Sequence, residues 1–288
     1  MSQSIDTRAD DPLNRREAGG QLRGFRPEYN IMKMEHLPPV MEEVWAAGRL
    51  REPMLKKTAL AGLDERVVEY PLALQALIEA AGNPFLQVLD VGCVLNNPII
   101  KDYVAQLVEM IWFINPSLET LAYESNMTYV LSDIRKVRLP QTLSFDLVTC
   151  LSTLEHVGMD NTRYGGAEAE FEGLIEDPQR YAIQGLRSIS RFVKVGGRLL
   201  VSVPFGPFEY LYMYKQSERP IYYTFDEPRF MEMVACLDNF EITLVVYKVV
   251  PGVGWVKTTL DDDENMLKHA DKCAAAGGVA FIDAVRKF

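Results

Sequence analysis

The sequence predicts an α/β fold built on a doubly wound, mostly parallel sheet. Three observations lead there. Short, nearly continuous apolar runs recur between residues 85 and 204, helical stretches lie between several of them, and the last two strand-like runs are joined by only four residues. Apolar runs without polar alternation are what strands buried on both faces look like. Alternation of such runs with helices predicts right-handed crossovers and a single parallel sheet.

Residues 1–30 are polar, carry Gly and Arg, and show no sustained apolar periodicity, which predicts a flexible tail. Residues 31–84 turn helical and predict a helical cap. "VMEEVWAAGRL" sets Val40, Val44 and Trp45 on one side, and "RVVEYPLALQALIEAAG" runs to Gly82 with Pro71 as an expected kink or break. Within residues 85–260 the strands are "FLQVLDVG", "EMIWFIN", "MTYVLSD", "FDLVTCLS" and "GRLLVSVP", with "PQRYAIQGLRSISRFV" as the helix before the last of these. "FEITLVVYKVV" and "GWVKTTL", linked by "PGVG", form a terminal antiparallel hairpin, because that link is too short for a crossover helix. Residues 261–288 are expected to close the chain as a helical segment.

Composition narrows the function. The formal charge of −10 disfavours a polyphosphate partner, so nucleic acid is not expected. The one dense basic run, "RLREPMLKK", reads as a solvated helix face. No apolar run is long enough to cross a membrane and the N-terminus has no apolar secretion core, so a cytoplasmic protein without a membrane partner is expected. The four cysteines have no CxxC spacing and the three histidines are scattered, which predicts neither disulfides nor a metal site.

In an open parallel sheet the ligand site lies past the carboxyl ends of the strands. Asp90 and Gly92 follow the first strand, Asn115 the second, Asp133 the third, and Ser152 through His156 the fourth. The ordered set "VLDVGC", "YVLSDI", "FDLVTCLSTLEHV" and "VKVGGRLLVSVP" resembles the class I S-adenosylmethionine-dependent methyltransferases, in particular those acting on small molecules, over roughly residues 85–260. That resemblance implies a Rossmann-like sheet of seven strands with the last antiparallel. It also implies S-adenosylmethionine as cofactor.

By the same resemblance, Asp90 and Gly92 match the start of the glycine-rich loop beside the methionine part of the cofactor. Cys93 and Leu151 complete the cofactor-binding set at the ends of the first and fourth strands. Where the family has two further glycines this chain has Val94 and Asn96, whose Cβ atoms restrict the backbone and occupy space. Asn115 stands where the family has an acid on the ribose, and an amide has one acceptor oxygen in place of two. Asp133 and Ile134 match the adenine site, the first accepting from the exocyclic amine and the second covering the ring.

Methyl transfer is an in-line displacement that chiefly needs alignment and exclusion of water, and a hydroxyl acceptor also needs a base. His156 matches the family's Leu-Glu-His position at the mouth of the site and is the candidate base; the same position also suits a histidine that only packs against or hydrogen-bonds its loop. Asp160 and Tyr164 are candidates for orienting His156 or the acceptor. The segment from Gly158 to about Asp177 reads as an acceptor lid, and "PFGPFEYLYMYKQSERPIYYTF" as either a pocket wall or a flap covering the core.

The expectation is therefore O-methylation of a small polar molecule such as a sugar or natural product, by a chain whose cap offers a surface for a homodimer. The competing reading, motivated by Val94, Asn96 and Asn115, is a non-catalytic binding or partner protein with a degenerate cofactor loop. A nicotinamide dehydrogenase ranks last, because "DVGCVLNN" lacks GxGxxG.

Overall fold

The computed structural model describes residues 27–117, 125–162, 177–212, 218–268 and 275–288. Most of the expected tail, Tyr164 and the greater part of the expected acceptor lid lie outside these residues.

Five parallel strands form the centre: β1 (Gln87–Val91), β2 (Met110–Asn115), β3 (Met127–Leu131), β4 (Phe145–Leu151) and β5 (Val193–Phe205), in the order β3-β2-β1-β4-β5. The register sets Val91 beside Ile114 and Cys150, and Asn115 beside Leu131, so the carboxyl ends of β1 to β4 share one edge. Their apolar runs face both ways. Val88, Ile111 and Phe113 join the core on one side of the sheet, while Leu89, Val91 and Ile114 join the core on the other. Edge strand β3 is the least buried of the five.

The Gly196-Gly197 pair works at the β4–β5 register shift between Phe145 and Leu147. Gly196 has φ +78°, and a Cβ on Gly197 would lie 2.9–3.1 Å from the carbonyl oxygens of Lys194, Phe145 and Asp146. Only a residue without a side chain lets the two backbones meet there.

Beyond β5 the sheet corrects two expectations. β8 (Phe240–Val250) and β9 (Gly254–Thr258) do form the antiparallel hairpin. The stretch expected to be a C-terminal helical segment, however, contains strand β10 (Gly278–Arg286), which inserts between β5 and β8 and runs antiparallel to both. The sheet therefore has eight strands instead of seven, in the order β3-β2-β1-β4-β5-β10-β8-β9. Val279, Ala280, Phe281 and Ile282 are buried, and backbone pairing along both edges of β10 outweighs the modest strand propensity of its alanines. A separate two-stranded sheet joins β6 (Tyr210–Leu211) to β7 (Tyr222–Tyr223).

Helices cover both faces, so the fold is a Rossmann-like, doubly wound α/β architecture. α1 (Pro27–Ala47), the single turn α2 (Glu52–Leu55), α3 (Arg66–Ala80) and α4 (Lys101–Leu107) lie on one side; α5 (Gln179–Ser190) and α6 (Glu227–Val234) lie on the other. α3 continues through Pro71 to Ala80, so the expected break is absent. Val40 and Val44 are buried as expected, but Trp45 is partly exposed and its ring lies 5.2 Å from that of Tyr103. Trp255 of β9 is fully buried and donates its indole N–H to the Leu60 carbonyl at 3.2 Å, which ties the helical cap to the far hairpin. The basic run is paired with acids, Lys56 with Glu52 and Lys57 with Glu43, as a solvated face requires. No helix among the described residues is long and apolar enough to cross a membrane.

Candidate active site

A cavity of about 350 Å³ opens past the carboxyl ends of β1 to β4. That is within the roughly 300–1,000 Å³ of ordinary small-molecule sites. Of the residues singled out from the sequence, Gly92, Cys93, Asn115, Asp133, Ile134 and His156 line it. Asp90 and Leu151 do not. Asp160 is also absent from its lining.

The loop after β1 is built from below by Asp90. This carboxylate is fully buried, with Oδ1 accepting from the Thr149 hydroxyl at 2.7 Å and Oδ2 from the Leu95 N–H at 2.8 Å. Burial pushes its pKa up to about 6, against the pull of those hydrogen bonds. Asp90 is thus the fastener of the loop. Gly92, at φ +94°, turns the chain; a Cβ there would lie 2.1 Å from Thr153 Oγ1. Cys93 follows in the left-handed region at φ 57°, and Val94–Asn96 make one 3-10 turn. Val94 and Asn96 therefore form part of the cavity wall and leave the hollow open. Asn96 is 8% exposed, and neither its Oδ1 nor its Nδ2 has a hydrogen-bond partner among the described residues.

After β2, Asn115 is buried and gives Nδ2 to the Ser117 carbonyl at 3.0 Å. After β3, Asp133 is gripped by Arg135: Oδ1 accepts from the backbone N–H at 2.8 Å and from Nε at 3.0 Å, and Oδ2 accepts from Nη2 at 2.6 Å. Burial would raise the Asp133 pKa, but the Arg135 hydrogen bonds and charge hold it below the usual carboxylate value. Asp133 is an anion locked in place. Ile134 is buried behind it and packs toward Gly185 of α5.

After β4 the chain passes through Ser152, at φ 37°, to the short turn Leu154–His156. His156 Nδ1 lies 2.7 Å from the Ile221 carbonyl, which can only accept, so Nδ1 carries the proton. Burial drives the imidazole pKa down to about 4, outweighing that carbonyl, with Arg66 adding to the depression. The ring is therefore neutral near pH 7. Orientation of His156 comes from the Ile221 carbonyl and from Tyr222, whose ring is 5.4 Å away. Asp160, a candidate for orienting His156 or the acceptor, accepts from the backbone and hydroxyl of Thr162. The aromatic segment after β5 backs His156 from outside, and none of its described residues lines the cavity.

The helical cap adds Lys33 of α1 and Arg66 and Tyr70 of α3 to the lining, none of which sequence reasoning had named. Arg66 Nη1 donates to Glu69 Oε2 at 2.5 Å and to the Leu151 carbonyl at 3.3 Å. Glu69 is fully buried, and its Oε1 also accepts from the hydroxyls of Ser152 and Ser202, each at 2.5 Å. A carboxylate inside an apolar helical pattern, as at Glu69, is the signal that could have pointed here, since buried charges are kept only when paired. Lys33 is paired with Asp64 at 2.5 Å. No group of three or more His, Cys, Asp or Glu side chains among the described residues is arranged to hold a metal ion.

No protein-family model matches the chain, and no curated protein matches it. Among solved structures it is similar to the N-methyltransferase NodS of Bradyrhizobium japonicum in complex with S-adenosylhomocysteine, at TM-score 0.42 and 10% identity over 86% of this chain and 99% of that one. A 1,6-didemethyltoxoflavin-N1-methyltransferase of Burkholderia thailandensis, with bound 1,6-didemethyltoxoflavin and S-adenosylhomocysteine, gives TM-score 0.44 and 13% identity over 90% of this chain and 89% of that one. An amino pentose methyltransferase of Micromonospora echinaspora, with S-adenosylmethionine bound, gives 0.43 and 12% over 75% and 89%. The chain's own strand order, with its cavity past the parallel carboxyl ends, gives a Rossmann-like α/β fold with the site at its usual edge.

Proposed function

We propose that this chain is an S-adenosylmethionine-dependent methyltransferase acting on a small polar molecule. One observation carries the reading: a single cavity gathers Gly92, Asn115, Asp133 with Ile134, and His156, one group from the end of each of four adjacent parallel strands. In the resemblance those positions serve the methionine part, the ribose, the adenine and the acceptor. The fixed anion at Asp133 suits an exocyclic amine, and Ile134 suits a ring face.

Bound in this cavity, the sulfonium supplies an electrophilic methyl group. The chain's own work is to align the nucleophile with it and keep water away. His156 keeps Nδ1–H on Ile221, so Nε2, which lies 3.8 Å from the buried Glu155 carboxyl, is the ring nitrogen that carries the lone pair. A hydroxyl acceptor placed on Nε2 would give up its proton as its oxygen takes the methyl group and the methyl–sulfur bond breaks to leave the thioether, which is our reading for an O-methyl product. Transfer to nitrogen is the second reading, favoured by the low basicity of His156: an amine that arrives neutral needs no strong base before it attacks.

Thermal shift with S-adenosylhomocysteine tests the proposal. A ligand at a hundred times its dissociation constant adds about 2.7 kcal/mol of stability. An unchanged melting curve at saturating ligand removes the cofactor, and a shift together with methyl transfer to a panel of hydroxyl and amine acceptors decides between the two products.

A further inference from the structure

We propose that the methyl acceptor carries an oxyanion group, a carboxylate or a phosphate, and that Lys33 of α1 and Arg66 of α3 recognise it on the cap side of the cavity. This inference rests on the cofactor reading above and deepens it by naming the class of acceptor.

The first support is the charge of the wall. The chain as a whole carries −10, yet the cavity lining holds three cations, Lys33, Arg66 and Arg135, against a single carboxylate, Asp133. Arg135 and Asp133 grip each other, so the excess belongs to the two cap residues. Their counter-ions stand behind them: Asp64 and Glu69 are absent from the lining, and Glu69 is fully buried. Each pair therefore turns its positive end to the cavity. An anion arriving there meets the cation at contact and the acid only at longer range, so attraction wins.

The second support is the way the two cations are set side by side. Asp64 Oδ2 accepts from Lys33 Nζ at 2.5 Å, and its Oδ1 accepts from the backbone N–H of Arg66 at 3.2 Å. Asp64 is itself fixed, because its N–H donates to the hydroxyl of the buried Tyr29 at 2.6 Å. Nη1 of Arg66 serves Glu69 and the Leu151 carbonyl, which leaves the Nε and Nη2 donors of the guanidinium for a ligand. Lys33 Nζ has three N–H donors and gives one to Asp64. A planar fork beside an ammonium matches the several oxygens of a carboxylate or phosphate.

The third support is position. Arg66 is tied to Leu151, the last residue of β4, and the turn that carries His156 starts just after it. The guanidinium is near enough to His156 to add to the depression of its pKa. With adenine and ribose at the ends of β3 and β2, the end of β4 is where the acceptor stands, and the two cap cations flank it. A sulfonium is a further positive charge in the same cavity, which an acceptor bearing a negative group offsets.

The test uses the full chain and matched pairs of acceptors that differ in one negative group: glucuronate with glucose, glucosamine 6-phosphate with glucosamine, and 4-hydroxybenzoate with 4-hydroxybenzamide. Release of S-adenosylhomocysteine reports turnover, and NMR titration of the S-adenosylhomocysteine-loaded protein reports binding of compounds that do not react. In at least one pair the charged member is expected to lead by about tenfold or more in kcat/KM or affinity, and the pair that does so tells carboxylate from phosphate. Lys33→Gln should reduce that lead by about tenfold, through KM more than kcat, and Lys33→Arg should restore most of it. Affinity for S-adenosylhomocysteine should change by less than about twofold in Lys33→Gln. Parity or a lead for the neutral member in every pair, or failure of all six compounds to bind, overturns the inference. So does a loss of S-adenosylhomocysteine affinity equal to the loss of acceptor preference, which would assign Lys33 to the cofactor. Should Lys33→Gln not fold, the preference shown by Lys33→Met decides. A parent protein that binds no S-adenosylhomocysteine removes the cofactor reading and this inference with it; one that binds it and shows no charge preference sinks the inference alone.

Discussion

Glu69 and Ser152 meet inside the protein, 83 residues apart in sequence, with the Ser152 hydroxyl 2.5 Å from the Glu69 carboxylate. The contact braces α3 against the tip of β4 just where the backbone takes the unfavourable φ of 37°. Glu69→Ala leaves Arg66, Ser152 and Ser202 without their common acceptor. Loss of one partner from a buried ion pair costs about 3–5 kcal/mol. Denaturant unfolding should show a loss of that size; a change below about 1 kcal/mol would mean that the cluster is incidental.

Gly92 is a second point of no tolerance. Gly92→Ala must place a methyl group 2.1 Å from Thr153 Oγ1 at a φ of +94°. Strain and overpacking together should destabilise the fold on the order of 3 kcal/mol, read by the same unfolding experiment. A protein as stable as the parent would show that the loop after β1 can be redrawn cheaply.

Thr149→Val removes a hydrogen bond that favours the ionised form of Asp90. The folded-state pKa of Asp90 is already raised to about 6 from 3.8, so its contribution to stability is fully present below 3.8 and is lost as pH rises through 6. The variant should push that pKa higher and cost about 1–3 kcal/mol at pH 7. Carboxyl NMR titration of Asp90 in both proteins checks the direction, and an unmoved midpoint contradicts it.

His156 gives the opposite sign. Its folded pKa is depressed from 6.5 to about 4, so the unfolded chain takes up the proton first and the His156 contribution is lost as pH falls from 6.5 toward 4. Asp90 works against this trend in the same window, so the difference between the protein and His156→Gln isolates it. Nitrogen NMR should find a neutral ring protonated at Nδ1 at pH 6; an imidazolium there would refute the assignment.

Asp133→Ala should weaken S-adenosylhomocysteine by roughly tenfold, the worth of one charge-assisted hydrogen bond. Arg135→Ala should weaken it less, since Arg135 fixes the orientation of Asp133 while, in the proposed site, Asp133 is the acceptor. Calorimetric titration of the two variants compares them, and a larger loss for Arg135→Ala would put the arginine, not the acid, against the ligand.

Strands β1 to β5 were legible because burial on both faces leaves an almost unbroken apolar run, and the rule that ligands lie past such strands led to Gly92, Asn115, Asp133 and His156. β10 was not, because Ala280 and Ala284 have little strand propensity and the partners of Ala280, Val246 and Val203, lie 34 and 77 residues back in sequence. Nor were Lys33, Arg66 and Tyr70: they belong to helices before β1 and reach the cavity only through packing. Glu69, charged in the middle of "RVVEYPLAL", is a local anomaly that could have led to them.

The placement of β10 carries a consequence for biosynthesis. Because that strand leaves the ribosome after both of its neighbours, β5 and β8 must wait with bare hydrogen-bonding margins throughout translation, and such margins invite pairing with other chains. The nascent protein is most vulnerable to aggregation in the interval before residues 278–286 emerge, and a chaperone shielding those two margins would have its greatest effect then.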